Sequence, residues 1–455
     1  MADNVDRREF LRTTALTGLG LSVGAAALSS CASVGIQGVG LPGQFQATPL
    51  ETVRIGMVGI GMQGRGHLRN FLGIPGTEIR AVCDLLPDRA ERAIQAVVDA
   101  GQPAPVQYSG GPEEYLRLCE REDLDLVFNA TPWEFHAPVC VAAMRNGKHV
   151  ATEIPMAIYI DECWQLVELS EKTGRHCVMM ENCCYDRVEL MILNMVRKEL
   201  FGELLHAECG YLHDLRGYKL GELYHPADWR LQHTIRRNAD LYPMHGLGPV
   251  AQWLNVNRGN QFDFLVSMSC SSRGLAEYAE EQFGPGSPQA TQRYAQGDVV
   301  NTLIRTKAGQ SILVTHDTNL PRPYSRRILL QGTQGLVRKY PEQRIHIEGR
   351  SPGHRWEELE EYREAFEHPL WTEMQELARG AGHGGMDYIE DYRLIQCLRE
   401  GKPQDMDVYD GAAWSAVIEL SERSISARSQ SVDCPDFTRG GWRTAPPLGV
   451  VSVAG

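Results

Sequence analysis

The chain has 455 residues, 43% of them hydrophobic and 23% charged, ordinary globular usage that excludes wholesale disorder. Its length exceeds one compact core and suits two domains with a tail. Lys+Arg 45 against Asp+Glu 58 leaves a net charge of −13, which repels phosphate backbones and excludes nucleic acid as the main partner.

Residues 1–31 read as an export signal. Asp6-Arg7-Arg8-Glu9-Phe10-Leu11-Arg12 precedes a mildly apolar stretch from Thr14 to Leu28 that is rich in Gly and Ala. The adjacent arginines resemble a twin-arginine signal, a route that carries folded proteins. Leu28-Ser29-Ser30-Cys31 resembles a lipobox, with Cys31 as the lipid anchor; a plain cleavage site among small residues is the alternative. Both imply an exported protein, periplasmic or held at a membrane. Residues 32–50 have no periodicity and read as a linker. No run of about 18 apolar residues marks a spanning helix.

From Val53 an apolar strand runs into Gly59-x-Gly61-x-x-Gly64 and then a helix. This is the context a dinucleotide fingerprint requires, with Met62 and Gln63 inside the turn. A second strand ends at Asp84, twenty residues after Gly64, where a carboxylate accepts from ribose hydroxyls and repels a 2′-phosphate. NAD is therefore the expected cofactor. Helices are expected over 87–100, 112–119, 136–146 and 161–173, and strands near 106, 124–130, 149–152 and 177–181. The alternation predicts a doubly wound parallel sheet over residues 51–184, with one crevice beyond the strand ends. Gly59 to Gly64, Asp84, Trp133 to His136, Glu153 and Asn182 would meet there.

After a helix over 185–199 the pattern changes. Strands at 203–212, 264–271, 299–305, 310–318 and 327–332, with few helices between, predict an α+β domain with an open, largely antiparallel sheet over 185–455. The connections 215–242 and 350–386 have the length of binding loops. A last helix over 412–427 packs back on the body. Of twelve cysteines, eleven follow Cys31; they include no C-x-x-C and sit mostly in apolar runs, so buried free thiols and no metal site are expected.

A Rossmann domain followed by an open-sheet domain resembles the glucose–fructose oxidoreductase and inositol dehydrogenase superfamily. That superfamily usually carries Glu-Lys-Pro where this chain has Glu153-Ile154-Pro155. Longer words are similar to glycoside hydrolase family 109, the NAD-dependent α-N-acetylgalactosaminidases. They are Trp133-Glu134-Phe135-His136, Glu181-Asn182-Cys183-Cys184-Tyr185, the segment 191–204, Gly210-Tyr211-Leu212-His213-Asp214-Leu215-Arg216, Leu241-Tyr242-Pro243-Met244-His245-Gly246, Thr315-His316-Asp317-Thr318 and Gly382-His383-Gly384-Gly385-Met386-Asp387-Tyr388.

The resemblance implies a glycosidase acting on a small-molecule or glycan substrate. It oxidises the sugar at C3 with retained NAD, eliminates the anomeric group, adds water and reverses the oxidation, unlike enzymes that use two carboxylates. It places Met62, Gln63, Trp133 to His136, Glu153, Ile154 and Asn182 on the cofactor. Tyr211, Arg230, Tyr242, Pro243, Met244, His245 and Tyr324 fall on the sugar, and His383, His245 and Tyr242 in catalysis. His383 lies among glycines that let an imidazole swing over a sugar, and histidine exchanges protons near neutrality. By spacing alone the same loop reads as surface with an incidental histidine. Two other functions compete: a periplasmic NAD(P)-dependent sugar oxidoreductase, and a sugar-binding lipoprotein that keeps NAD as a prop. A homo-oligomer through the open sheet is expected by analogy.

Overall fold

The computed structural model describes residues 41–221 and 229–453; Arg7, Arg8, Cys31 and the start of the linker lie outside the described residues. The first sheet is built from β1 (Val53–Val58), β2 (Thr77–Cys83), β3 (Val106–Tyr108), β4 (Leu126–Asn129), β5 (His149–Glu153) and β6 (Cys177–Met180). All pair in parallel in the order β3-β2-β1-β4-β5-β6. β4 and β6 are buried throughout, as strands covered by helices on both faces must be. The connecting helices are α1 (Met62–Gly73), α2 (Pro87–Asp99), α3 (Glu114–Cys119), α4 (His136–Arg145) and α5 (Ile160–Thr173). α2 opens on a proline and α5 stops at Gly174 in a left-handed conformation, both ordinary boundary signals.

α6 (Arg187–Arg197), capped by the Asp186 carboxylate, leads into the second sheet. Its strands are β7 (Leu204–Leu212), β8 (Phe262–Ser269), β9 (Val299–Thr306), β10 (Ser311–Asp317), β11 (Leu329–Gly332), β12 (Gly335–Arg338), β13 (Arg344–Ile347), β14 (Glu357–Glu358) and β15 (Val432–Asp433). Their order is β14-β13-β12-β11-β7-β10-β9-β8-β15, and every pair is antiparallel except β10 with β7. One face is covered by helices, including α7 (Met244–Trp253). The other is open, with Val266, Leu303 and Leu313 abreast on three neighbouring strands.

Two further helices tie the sheets together. α8 (Met386–Glu400) packs on α1, and α9 (Val408–Ser426) lies between the two sheets. From α9, Ser415 and Glu419 accept from the backbone N–H groups of Met156 and Ile160, while Ser424 accepts from that of Ser267. The linker is docked from residue 41 onward. Gly43 N–H donates to Asp407 at 2.6 Å, the Phe45 ring lies 4.3 Å from that of His176, and Leu50 N–H donates to the Leu398 carbonyl. The eleven described cysteines are free: nine are buried, Cys270 is exposed and Cys434 half-buried. Among the described residues no helix is long and apolar enough to cross a membrane.

Candidate active site

The carboxyl ends of the first six strands open toward the helices of the second sheet, and the cofactor-like end begins at β1. Gly59 has φ +85°, and a Cβ there would sit 2.6 Å from the Ala130 carbonyl oxygen, so the turn admits only glycine. Above Gly61 the space is open: a Cβ would meet only an Arg89 guanidinium nitrogen, at 3.9 Å. α1 starts at Met62 without a side-chain cap, leaving its first N–H groups available to an anion. Asp84 braces this turn, its Oδ2 accepting from Ile60 N–H at 2.7 Å and its Oδ1 from Leu86 N–H at 2.9 Å. Each oxygen keeps a lone pair for a ribose hydroxyl. A tight glycine turn, an open approach, free helix amides and a fixed carboxylate fit a dinucleotide.

At the far end of the crevice α8 presents two aspartates one turn apart. Asp387 Oδ2 lies 2.8 Å from His383 Nδ1, and Asp387 Oδ1 accepts from Asn182 Nδ2 at 2.7 Å. The hydrogen bond that His383 donates to Asp387 raises the His383 pKa above the ordinary histidine value. Burial would raise Asp387, but His383 and Asn182 hold it below the usual carboxylate range. His383 itself is strained at φ +49°, in a loop whose next two glycines are also left-handed, and half of its side chain is exposed. Gly382 cannot carry a side chain without disturbing the pair, since its Cβ would fall 2.2 Å from Asp387 Oδ2. Asp391, the second aspartate, binds His67 of α1.

Between these ends lie aromatic walls and a third histidine. His245, early in α7, is 2.7 Å through Nδ1 from Glu181 Oε1, and Glu181 has no exposed surface. No described residue hydrogen-bonds its Nε2. The Tyr242 and Tyr211 rings stand 5.1 and 5.3 Å from it, and Tyr324, the most exposed of the group, lies 6.2 Å beyond Tyr211. Burial pushes the Tyr242 phenol well above its ordinary value and keeps it protonated. Trp133 stacks on Tyr242 at 5.6 Å, and the Arg230 guanidinium lies 5.1 to 5.2 Å from Trp133, Trp229 and Tyr242, a cation–π cage.

Glu153, at the end of β5, points its Oε1 at His67; Ile154 beside it is buried. Two of the expected side chains, those of His136 and Met244, are committed elsewhere. His136 is 1% exposed, with Nδ1 2.6 Å from the Pro155 carbonyl and Nε2 2.8 Å from that of Thr131, so it ties together the segments that follow β4 and β5. Met244 has no exposed surface and faces the core. Glu134 lies 3.2 Å from His233, whose ring packs 4.9 Å from that of Trp133. Glu181, Cys183 and His245 bring three donors of metal-ligand type within 4.8 Å. A cation there would face the Arg326 guanidinium, already 2.9 Å from the Cys183 sulfur.

Residues 53–181 match the family described as oxidoreductase family, NAD-binding Rossmann fold, and residues 185–444 match glycosyl hydrolase 109, C-terminal domain. A glycosyl hydrolase family 109 protein of Shewanella pealeana is 44% identical over 462 residues, covering 99% of this chain and all of the relative. The chain belongs to glycosyl hydrolase family 109. A further relative, an alpha-N-acetylgalactosaminidase of Shewanella oneidensis, is 43% identical over 99% of the chain and all of its own length. Among solved structures the family 109 chain is similar to levoglucosan dehydrogenase in complex with NADH and levoglucosan, at TM-score 0.64 and 19% identity. It is also similar to an inositol dehydrogenase homologue of Azotobacter vinelandii with NADH and myo-inositol, at 0.62 and 18%. Each covers 85% of this chain, with 100% and 98% of the respective neighbour covered, and shows the shared fold.

Proposed function

We propose that this chain hydrolyses terminal α-N-acetylgalactosaminides with NAD held throughout the turnover. The observation that carries the reading is His383: an imidazole on a strained, half-exposed loop, held by Asp387 and Asn182 at the same crevice as the dinucleotide cradle. Gly59 to Gly64 and Asp84 would hold the cofactor's phosphates and ribose, with Glu153, Ile154 and Asn182 toward its nicotinamide. When bound, NAD supplies reversible oxidation at the sugar's C3, which acidifies the C2 proton and lets the anomeric group leave by elimination.

The side chains divide the proton work. His383 commits Nδ1 to Asp387, so exchange with the sugar falls to Nε2: the neutral ring takes the C2 proton, and the raised pKa holds that proton until it passes to the departing oxygen. His245 commits Nδ1 to buried Glu181, leaving Nε2 to accept the C3 hydroxyl proton. Tyr242, protonated, donates to the sugar, while Tyr211 and Tyr324 offer stacking faces and Arg230 a donor for hydroxyl or acetamido oxygens. Release of chromophore from an aryl α-N-acetylgalactosaminide by purified protein tests this. Turnover with no accumulation of NADH supports it, and stoichiometric NADH would identify a sugar oxidoreductase instead.

Twin-arginine export, an anchor at Cys31 and assembly into a homo-oligomer belong to the same proposal. The arginines and the Leu28 to Cys31 word support the first two, and fractionation of cells carrying Cys31→Ala tests them. The open face of the second sheet supports the third: Phe264, Met268 and Leu303 are 37, 65 and 50% exposed. Sedimentation of wild type and Leu303→Glu tests it.

A further inference from the structure

His67 has no part in the mechanism above, yet it is among the most heavily bound side chains of the molecule. It lies on α1, three residues after Gly64 of the glycine turn, and is 2% exposed. Its Nδ1 lies 2.8 and 2.9 Å from the two oxygens of Asp391, and its Nε2 lies 2.8 Å from Glu153 Oε1. Asp391 has no exposed surface and also accepts from Asn70 Nδ2 at 2.9 Å. Neutral imidazole donates one hydrogen bond; facing carboxylate oxygens with both nitrogens is the geometry of imidazolium. Burial alone would lower its pKa, but Asp391 and Glu153 overcome this and hold it well above the ordinary histidine value. The groups facing it from α8 besides Asp391 are Asp387 and Glu390; burial drives Glu390 well above the ordinary carboxylate value and raises Asp391 too, against the opposing pull of His67 and Asn70.

The chain Asp391–His67–Glu153 joins three elements: α8, which carries Asp387; α1, whose amides would meet the phosphates; and the end of β5, where Glu153 reaches the crevice. Its inner end is sealed, so it carries no proton to solvent. What it can do is hold a charge in place. Glu153 Oε1 is fixed by His67, Oε2 accepts from Ile154 N–H at 3.3 Å, and the side chain is 15% exposed. We propose that His67 is a positioning residue: a buried imidazolium, braced by Asp391, that holds the Glu153 carboxylate at the nicotinamide end of the dinucleotide site. This rests on the NAD reading above, and its test reads binding and charge state apart from glycosidase activity.

The experiment is a double-mutant cycle on NAD⁺ affinity, measured by calorimetry on purified protein, with His67→Gln, Glu153→Gln and the pair. Each single variant is expected to weaken NAD⁺ binding roughly tenfold or more, the loss of a hydrogen bond to a charged group. The double variant should be no weaker than the worse single one. Losses that multiply, or an unchanged affinity in His67→Gln, overturn the proposal. Should a variant fail to fold, nitrogen NMR of histidine-labelled wild type decides: His67 is expected as imidazolium at pH 7, and a neutral ring there contradicts the assignment. Wild-type protein that binds NAD⁺ but cleaves no galactosaminide defeats the glycosidase reading and leaves this one standing.

Discussion

α8 carries two aspartates, each gripping a histidine from another segment, and the two pairs differ in almost every other respect. His383 is half exposed, sits on strained backbone among glycines and has a single carboxylate partner; His67 is enclosed, sits in regular helix and has two. Exposure decides what the same chemistry can do. A histidine with one free nitrogen facing a crevice can pass protons to a ligand, whereas one whose nitrogens are both committed inside the protein can only fix a charge. One helix thus serves a mobile proton and an immobile one, one turn apart.

The largest effect separating them is expected from His383→Ala. Turnover should fall roughly 10²- to 10⁴-fold, the usual loss of a general acid–base group, with NAD content and melting temperature unchanged. Retained turnover would remove His383 from the chemistry. Asp391→Ala should act in the opposite currency, lowering stability by about 3–5 kcal/mol because it leaves a buried imidazolium half-compensated. Denaturant unfolding reads this. The sign of its pH dependence is fixed. His67 has a raised pKa in the fold, and burial raises Asp391 as well, so the pairing is full between the titration of Asp391 and about pH 6.5 and is lost as pH climbs through the raised value of His67. The variant's deficit should therefore shrink from neutral toward alkaline pH, and a deficit that grows over that range contradicts a charged His67.

Gly382→Ala is a smaller perturbation aimed at the exposed pair alone. The new Cβ must push Asp387 away, so turnover should fall roughly ten- to a hundredfold while stability barely moves. Asp387→Asn is subtler still. Losing the hydrogen bond that raises His383 should move the corresponding limb of the pH–rate profile to lower pH, and a shift upward would assign that limb to another group.

How much of this was legible depended on how local the signal was. The cofactor half reads from the chain because its parts are neighbours: Gly59, Gly61 and Gly64 within six residues, Asp84 at the end of the next strand, and alternating strands and helices with clean boundaries. His383 and Asp387 stand four residues apart, a spacing that places them side by side once α8 is known. α8 itself escapes notice because almost all of its surface is buried, including Asp387, Glu390, Asp391 and Arg393. Its charged residues mimic a solvent face, and no amphipathic stripe remains to find. His67 hides within the fingerprint helix, and its partner Asp391 is 324 residues away, a pairing only the fold creates. The strands β12 to β15 have two to four residues each, too short for alternation to register. His136 shows the converse: a motif residue at the crevice mouth whose side chain serves the backbone.

The measurement closest to the central claim is turnover of an α-N-acetylgalactosaminide in deuterated water, with the released sugar analysed by NMR. Transient oxidation at C3 exposes the C2 proton, so the product is expected to carry deuterium at C2 while the bound cofactor stays oxidised overall. Product released at full rate with its C2 proton retained would mean direct displacement at the anomeric carbon and would contradict the account.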